Sequence, residues 1–244
     1  MSVAVLYDIH GNLPALEVVL GDLAKVNAER VVVGGDVVPG PMPREALAAL
    51  LDLDLPTQFI LGNGEIAVLA EREGKDSGVP SAYREIIRWN AAQLSPRDVE
   101  LLRGWPEMLC MDIAGLGDVL FCHASPQNPH DIFTRLTPED RMVPVFTGSD
   151  ADVVVCGHTH MQFDRTIGGV RVVNAGSVGM PYGEPSAYWL LLGPQVEFRR
   201  TEYDLDNAAA RIRQTQYPDA KEFAAHNVLV PPSEEKMLEA FGGT

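Results

Sequence analysis

The 244-residue chain sets 19 Lys and Arg against 34 Asp and Glu, a formal charge of −15. With 46% hydrophobic and 22% charged residues its composition is globular, which excludes a disordered or fibrous chain. The negative excess also excludes a broad basic face for nucleic acid or anionic membranes, though not a phosphate substrate whose positive charge is supplied locally.

In chain order, residues 3–7 read as a buried strand and residues 14–26 as a helix, with Leu16, Val19, Leu20 and Leu23 on one face, Asn12 as its cap and Pro14 in its first turn. Residues 30–33 form the next strand, 44–53 a helix and 57–61 a third strand. This β-α-β-α-β order predicts a parallel sheet with helical crossovers. Residues 65–103 read as helical, broken at 74–80 where Gly, Ser, Asp and Pro cluster.

The second half changes character. Residues 107–113 and 118–121 predict a hairpin around Gly115 and Gly117, and 152–156 another strand. Residues 163–167 and 170–173 flank a Gly168-Gly169 turn, and 187–192 and 195–200 repeat the pattern around Gly193-Pro194. The tail, about 202–244, returns to helix, interrupted by Pro218 and Pro231-Pro232, its apolar faces packing on the rest of the chain. Without a convincing linker, the expectation is one domain over 1–244, a core of about 1–200 in which a more antiparallel second sheet packs on the first.

Cys110, Cys122 and Cys156 lie in or beside apolar runs and read as reduced, buried thiols. The N-terminus lacks a basic region and cleavage pattern, and no apolar stretch reaches the roughly 18–20 residues of a membrane span. The expectation is a soluble, cytoplasmic protein.

Four of the six histidines, His10, His123, His158 and His160, directly follow apolar strand-like runs, as do Asp8, Asp36 and Asn63. The carboxyl ends of strands are where an open α/β sheet binds ligands. Asp8-Ile9-His10 and His158-Thr159-His160 each space two potential ligands at i and i+2, on one face of an extended segment. Flanking glycines permit tight turns and close approach of backbone. Seven N and O donors at strand ends point to two metal ions sharing a carboxylate, and the lack of thiolate suits Mn, Fe or Zn better than a structural zinc cage.

Asp8-x-His10, Gly35-Asp36, Gly62-Asn63, His123 and Gly157-His158-x-His160 resemble, in order and spacing, the five blocks of the calcineurin-like metallophosphoesterase superfamily. Asp8 to Leu16 looks like the opening of its small bacterial and archaeal phosphoesterases. Asn174 to Gly179 resembles a later block, with Ala175 where proline is usual. The likeness spans residues 3 to about 200. It implies an α/β fold, a four-layer α/β/β/α sandwich of two mixed β-sheets, with two metal ions at the sheet edges. Asp8, His10 and His160 would hold one ion, Asn63, His123 and His158 the other, and Asp36 would bridge both. Such a pair lowers the pKa of a shared water, giving a bridging hydroxide held by Asp36, and clamps the phosphate oxygens.

One block departs from the pattern. Where the family runs Gly-Asn-His plus an acidic residue, this chain has Gly62-Asn63-Gly64-Glu65. The missing histidine normally reaches the phosphate, and relatives lacking it often lean toward phosphodiesters. Glu65 either orients a ligand or water behind the metals or is the first-turn acid of a helix. His130 either overhangs the site or is a solvated loop residue; Arg135 and Arg141 are candidates to grip phosphate. His226 reads as structural or surface. Tyr83, Trp89 and Trp105 either stack a ring or fill the core. The expected function is hydrolysis of a phosphodiester or phosphomonoester, small or exposed, without extended nucleic acid or membrane as partner. A Ser/Thr protein phosphatase and a catalytically weak metal-binding scaffold are the alternatives.

Overall fold

The computed structural model describes residues 2–242. In chain order it runs β1 (Val3–Leu6), α1 (Leu13–Leu23), β2 (Arg30–Val33), α2 (Pro43–Leu51), β3 (Thr57–Phe59), α3 (Asn63–Arg72), α4 (Arg84–Gln93) and α5 (Pro96–Arg103). The second half holds β4 (Met108–Ile113), β5 (Gly117–Cys122), α6 (Glu139–Phe146), β6 (Val153–Cys156), β7 (Phe163–Ile167), β8 (Val170–Asn174), β9 (Ala187–Leu192) and β10 (Val196–Thr201). The tail adds α7 (Leu205–Arg213), α8 (Ala220–Phe223), a π turn (Ala224–Leu229) and α9 (Glu234–Gly242).

Two five-stranded mixed sheets result, ordered β10-β9-β1-β2-β3 and β4-β5-β6-β8-β7. β1, β2 and β3 pair in parallel, as do β5, β6 and β8, so their carboxyl ends lie along common edges. Side chains alternate accordingly: Ala4 and Leu6 enter the core beneath α1 and α2, while Val3, Val5 and Tyr7 meet Val119, Phe121 and Val155 of the other sheet. A third core, with Phe133, Met142 and Phe146, covers the far face of β5, β6 and β8. Three apolar layers between helix, sheet, sheet and helix are the expected four-layer sandwich.

Local chemistry explains the boundaries. Asn12 Oδ1 accepts the Ala15 N–H at 3.3 Å and Pro14 occupies the first turn, starting α1 as expected. Pro218 and the Pro231-Pro232 pair fall between tail helices. Tyr7 is a large polar side chain between the sheets; its hydroxyl donates toward the carbonyls of Val155 (2.9 Å) and Cys122 (3.1 Å), tying β1 to β5 and β6. The expectation for cysteine needs one correction. Cys122 and Cys156 are buried free thiols, but Cys110 is exposed on β4, the edge strand of its sheet. No helix among the described residues is long and apolar enough to cross a membrane.

Candidate metal centre

Each strand expected to end at the site does so. β1 delivers Asp8 and His10, β2 Asp36, β3 and the start of α3 Asn63, β5 His123, and β6 His158 and His160. Just past the strands the chain turns abruptly. Asp8 (φ 54°), His10 (46°), Asp36 (54°), His158 (65°) and His160 (57°) all adopt the left-handed region, which among described non-glycine residues only Asn27 shares. Backbone bonds hold these turns together: His10 N–H donates to Asp36 O at 2.8 Å and Asp8 N–H to Gly35 O at 3.2 Å.

The side chains then converge. Asp8 Oδ1 lies 3.3 Å from His160 Nε2 and 3.8 Å from both His10 Nε2 and His123 Nε2. Asp36 Oδ2 lies 3.7 Å from His10 Nε2 and 3.6 Å from His123 Nε2. Two groups whose donor atoms lie within 4.8 Å of one another emerge, Asp8–His10–His160 and Asp8–Asp36–His123. His158 stands behind His123, its ring 5.2 Å away and edge-on, and Asn63 lines the same opening as Asp36.

The opposite side of each group is anchored. His10 Nδ1 faces Pro39 O (3.3 Å), His123 Nδ1 faces Gly34 O (2.9 Å) and His160 Nδ1 faces Met180 O (2.7 Å). A carbonyl only accepts, so each Nδ1 carries a proton, and in the neutral ring the lone pair of Nε2 then faces inward. The carboxylates are split likewise: Asp8 Oδ2 accepts the His158 N–H (2.8 Å) and Asp36 Oδ1 the Gly64 N–H (2.7 Å), leaving the other oxygens to the imidazoles. Asp8 Oδ1, His123 Nε2 and Asn63 Oδ1 are buried without hydrogen-bond partners. Converging, unpartnered N and O acceptors are a donor set that fits divalent cations.

Burial opposes ionisation of Asp8, but His160, His123 and His10 outweigh it and hold its carboxyl below the usual range. For His123 burial is overcome by Asp36 and Asp8, and for His160 by Asp8, so both rise. Burial dominates at His10, which falls, and at His158, which burial and the neighbouring His123 depress to about 4.

Glu65 unites its two expected roles. It is fully buried in the first turn of α3, and its carboxylate accepts the N–H groups of Asp36 (2.7 Å), Gly62 (2.8 Å) and Val38 (3.0 Å). Burial and the nearby Asp36 push its pKa up to about 7 against those three donors. Gly64 has no room for the family's histidine: a Cβ there would lie 2.4 Å from Val38 O and 2.6 Å from Pro39 Cδ.

The remaining candidates divide. Ser125 Oγ bonds Asn128 O (3.3 Å) and the Asp131 carboxylate, folding the 125–131 loop on itself, and His130 is exposed on that loop. Arg135 is engaged by Glu234 of α9. Trp105 is core, stacked on Phe59 at 4.7 Å, and Trp89 meets Tyr217 edge-on at 5.5 Å. The tail's contribution was not legible in sequence. With the 79–87 segment it walls a cavity of about 410 Å³ that opens on His10, Asp36 and Asn63, and exposed His226 lies on that wall, 3.5 Å from Glu222. Its Tyr217, Phe223 and His226 look like ordinary amphipathic-helix residues.

Known proteins resemble the chain over most of its length. The uncharacterized protein MJ0912 of Methanocaldococcus jannaschii is 29% identical over 89% of this chain and 94% of its own length. The metallophosphoesterase of Sphaerobacter thermophilus is 26% identical, with a TM-score of 0.74 over 93% of this chain and 99% of that one. The hypothetical protein PH1004 of Pyrococcus horikoshii OT3 shares the fold, with a TM-score of 0.78 at 22% identity over 91% of this chain and 97% of its own. The model of the calcineurin-like phosphoesterase superfamily domain matches residues 1–193. With that match over the strands that bear the histidine and aspartate clusters, the chain belongs to the calcineurin-like phosphoesterase superfamily, a family of metal-binding phosphoric ester hydrolases.

Proposed function

We propose that the chain hydrolyses a small phosphodiester or phosphomonoester with two divalent ions, Mn, Fe or Zn. Asp8, His10 and His160 would hold one, Asn63, His123 and His158 would hold the other, and Asp36 would serve both. The observation that carries this reading is Asp36 Oδ2, 3.7 Å from His10 Nε2 and 3.6 Å from His123 Nε2, one nitrogen from each set. When bound, the ions supply a water of lowered pKa and positive charge for the phosphate oxygens in an in-line displacement.

The chain's own groups prepare that chemistry. The carbonyls of Pro39, Gly34 and Met180 fix the Nδ1–H tautomer and the ring orientation of the neutral imidazoles, and the N–H groups of Gly64 and His158 aim the carboxylates. With Gly64 in the third block no imidazole from that position reaches the departing oxygen, which takes its proton from solvent. This favours esters with good leaving groups and supports a diesterase preference. The same glycine favours a second reading, a metal-binding scaffold with weak catalysis. A protein phosphatase fits less well, since the site opens into an apolar cavity edged by Asp219 and Glu222.

The test is metal analysis of the purified protein together with hydrolysis of bis-p-nitrophenyl phosphate under added manganese. About two ions per chain and clear turnover are expected. Asp36→Asn is expected to abolish turnover with an unchanged circular dichroism spectrum. A metal-loaded wild type inert toward both mono- and diester substrates establishes the scaffold reading instead.

A further inference from the structure

We infer that the substrate carries a compact, uncharged apolar group about the size of one or two rings, seated between the 79–87 segment and the C-terminal tail. The inference rests on the phosphoesterase reading and names the class of ester it takes.

The cavity is polar where it meets His10, Asp36 and Asn63, while apolar side chains make up most of its wall. Val79 and Tyr83 come from the segment between α3 and α4, Ile86 from the first turn of α4, and Tyr217 and Phe223 from the tail. These two segments lie about 130 residues apart in sequence and share a core in which Ile86 packs with Tyr217 and Phe223. The wall is therefore a fixed part of the fold. A phosphate held by ions at Asp36 and Asn63 would direct one ester group into this space, whose volume of about 410 Å³ suits a small ligand.

Charge narrows the class further. Asp219 and Glu222 are the carboxylates facing the cavity beyond the ligands, and His226 is already paired with Glu222 at 3.5 Å. A second phosphate or a polyanion would meet these carboxylates, and no Lys or Arg among the described residues lines the cavity to offset them. An uncharged ring gains by leaving water and loses nothing there.

Calorimetry on the full-length, manganese-loaded protein tests this without turnover, using phenylphosphonate and methylphosphonate as probes. Phenylphosphonate is expected to bind about tenfold more tightly or better. Half-buried Val79 and exposed Tyr83 supply two variants; Val79→Asp and Tyr83→Ala are each expected to reduce the phenyl-to-methyl ratio several-fold, a ratio insensitive to the folded fraction. Phenyl and methyl p-nitrophenyl phosphate share a leaving group, and kcat/KM is expected to favour the phenyl ester by a similar factor. Binding preference without turnover of either ester sinks the hydrolase reading and leaves the cavity assignment standing. A preference below about twofold, no binding of either phosphonate, or a preference untouched in both folded variants overturns the assignment.

Discussion

The Glu65 carboxylate accepts the Asp36 backbone N–H at 2.7 Å, so a residue of α3 fixes the turn that ends β2. The same carboxylate takes the N–H groups of Gly62 and Val38, so one buried side chain ties two strand ends together. Glu65→Gln keeps the volume but aims an amide NH₂ at backbone donors. It is expected to cost about 3 kcal/mol of stability, read from urea unfolding, and to weaken metal retention by about 10- to 100-fold. Unchanged unfolding would show that the three bonds contribute little.

Restoring the family's histidine is expected to do harm. Gly64→His pushes a Cβ into Val38 O and Pro39 Cδ and toward Asp36 Oδ1, the oxygen that the Gly64 N–H now holds. The expected loss is about 1–3 kcal/mol, seen as a lower Tm, together with slower ester hydrolysis. A variant as stable as wild type and faster on monoesters would mean that the Val38–Pro39 loop moves aside freely.

Metal uptake is expected to weaken on acidification. Asp8 and Asp36 raise the pKa of His123, and Asp8 that of His160, above the ordinary histidine value, so protons compete for the nitrogens that face the site. As pH falls through that range, the apparent affinity should drop by about tenfold per unit for each proton displaced. Manganese titrations at pH 8, 7 and 6, in buffers of different ionisation enthalpy, measure both the loss and the protons released. Affinity independent of pH would place the ions on other groups.

Tyr7→Phe is expected to cost about 1–2 kcal/mol, because it leaves the buried carbonyls of Val155 and Cys122 without the hydroxyl that bridges the two sheets. Guanidinium unfolding of the metal-free protein isolates this effect from metal binding. The spectrum of the folded protein should stay unchanged, since the ring keeps its packing between the sheets.

The candidate ligands were legible in sequence because each follows a run such as Val31-Val32-Val33 or Val153-Val154-Val155, and a parallel sheet aligns such ends by its own hydrogen bonding. Glu65 was half-legible: its place in the first turn of α3 follows from pattern, whereas its reach to Asp36 depends on a contact 29 residues back. The cavity was opaque, since Tyr217 and Phe223 read as core from periodicity alone and their partner Ile86 lies far upstream. Cys110 misled because its run is as apolar as a core strand, and only sheet order reveals β4 as an edge.

The left-handed turns at Asp8, His10, Asp36, His158 and His160 have a further consequence. A centre outlined by main-chain dihedrals holds its shape before any ion arrives, so the cost of arranging it falls on folding and not on metal capture. It also tolerates asparagine better than alanine at the aspartates, because an amide side chain suits that backbone region while a bare methyl does not. Loss of charge and loss of shape can thus be separated at a single position.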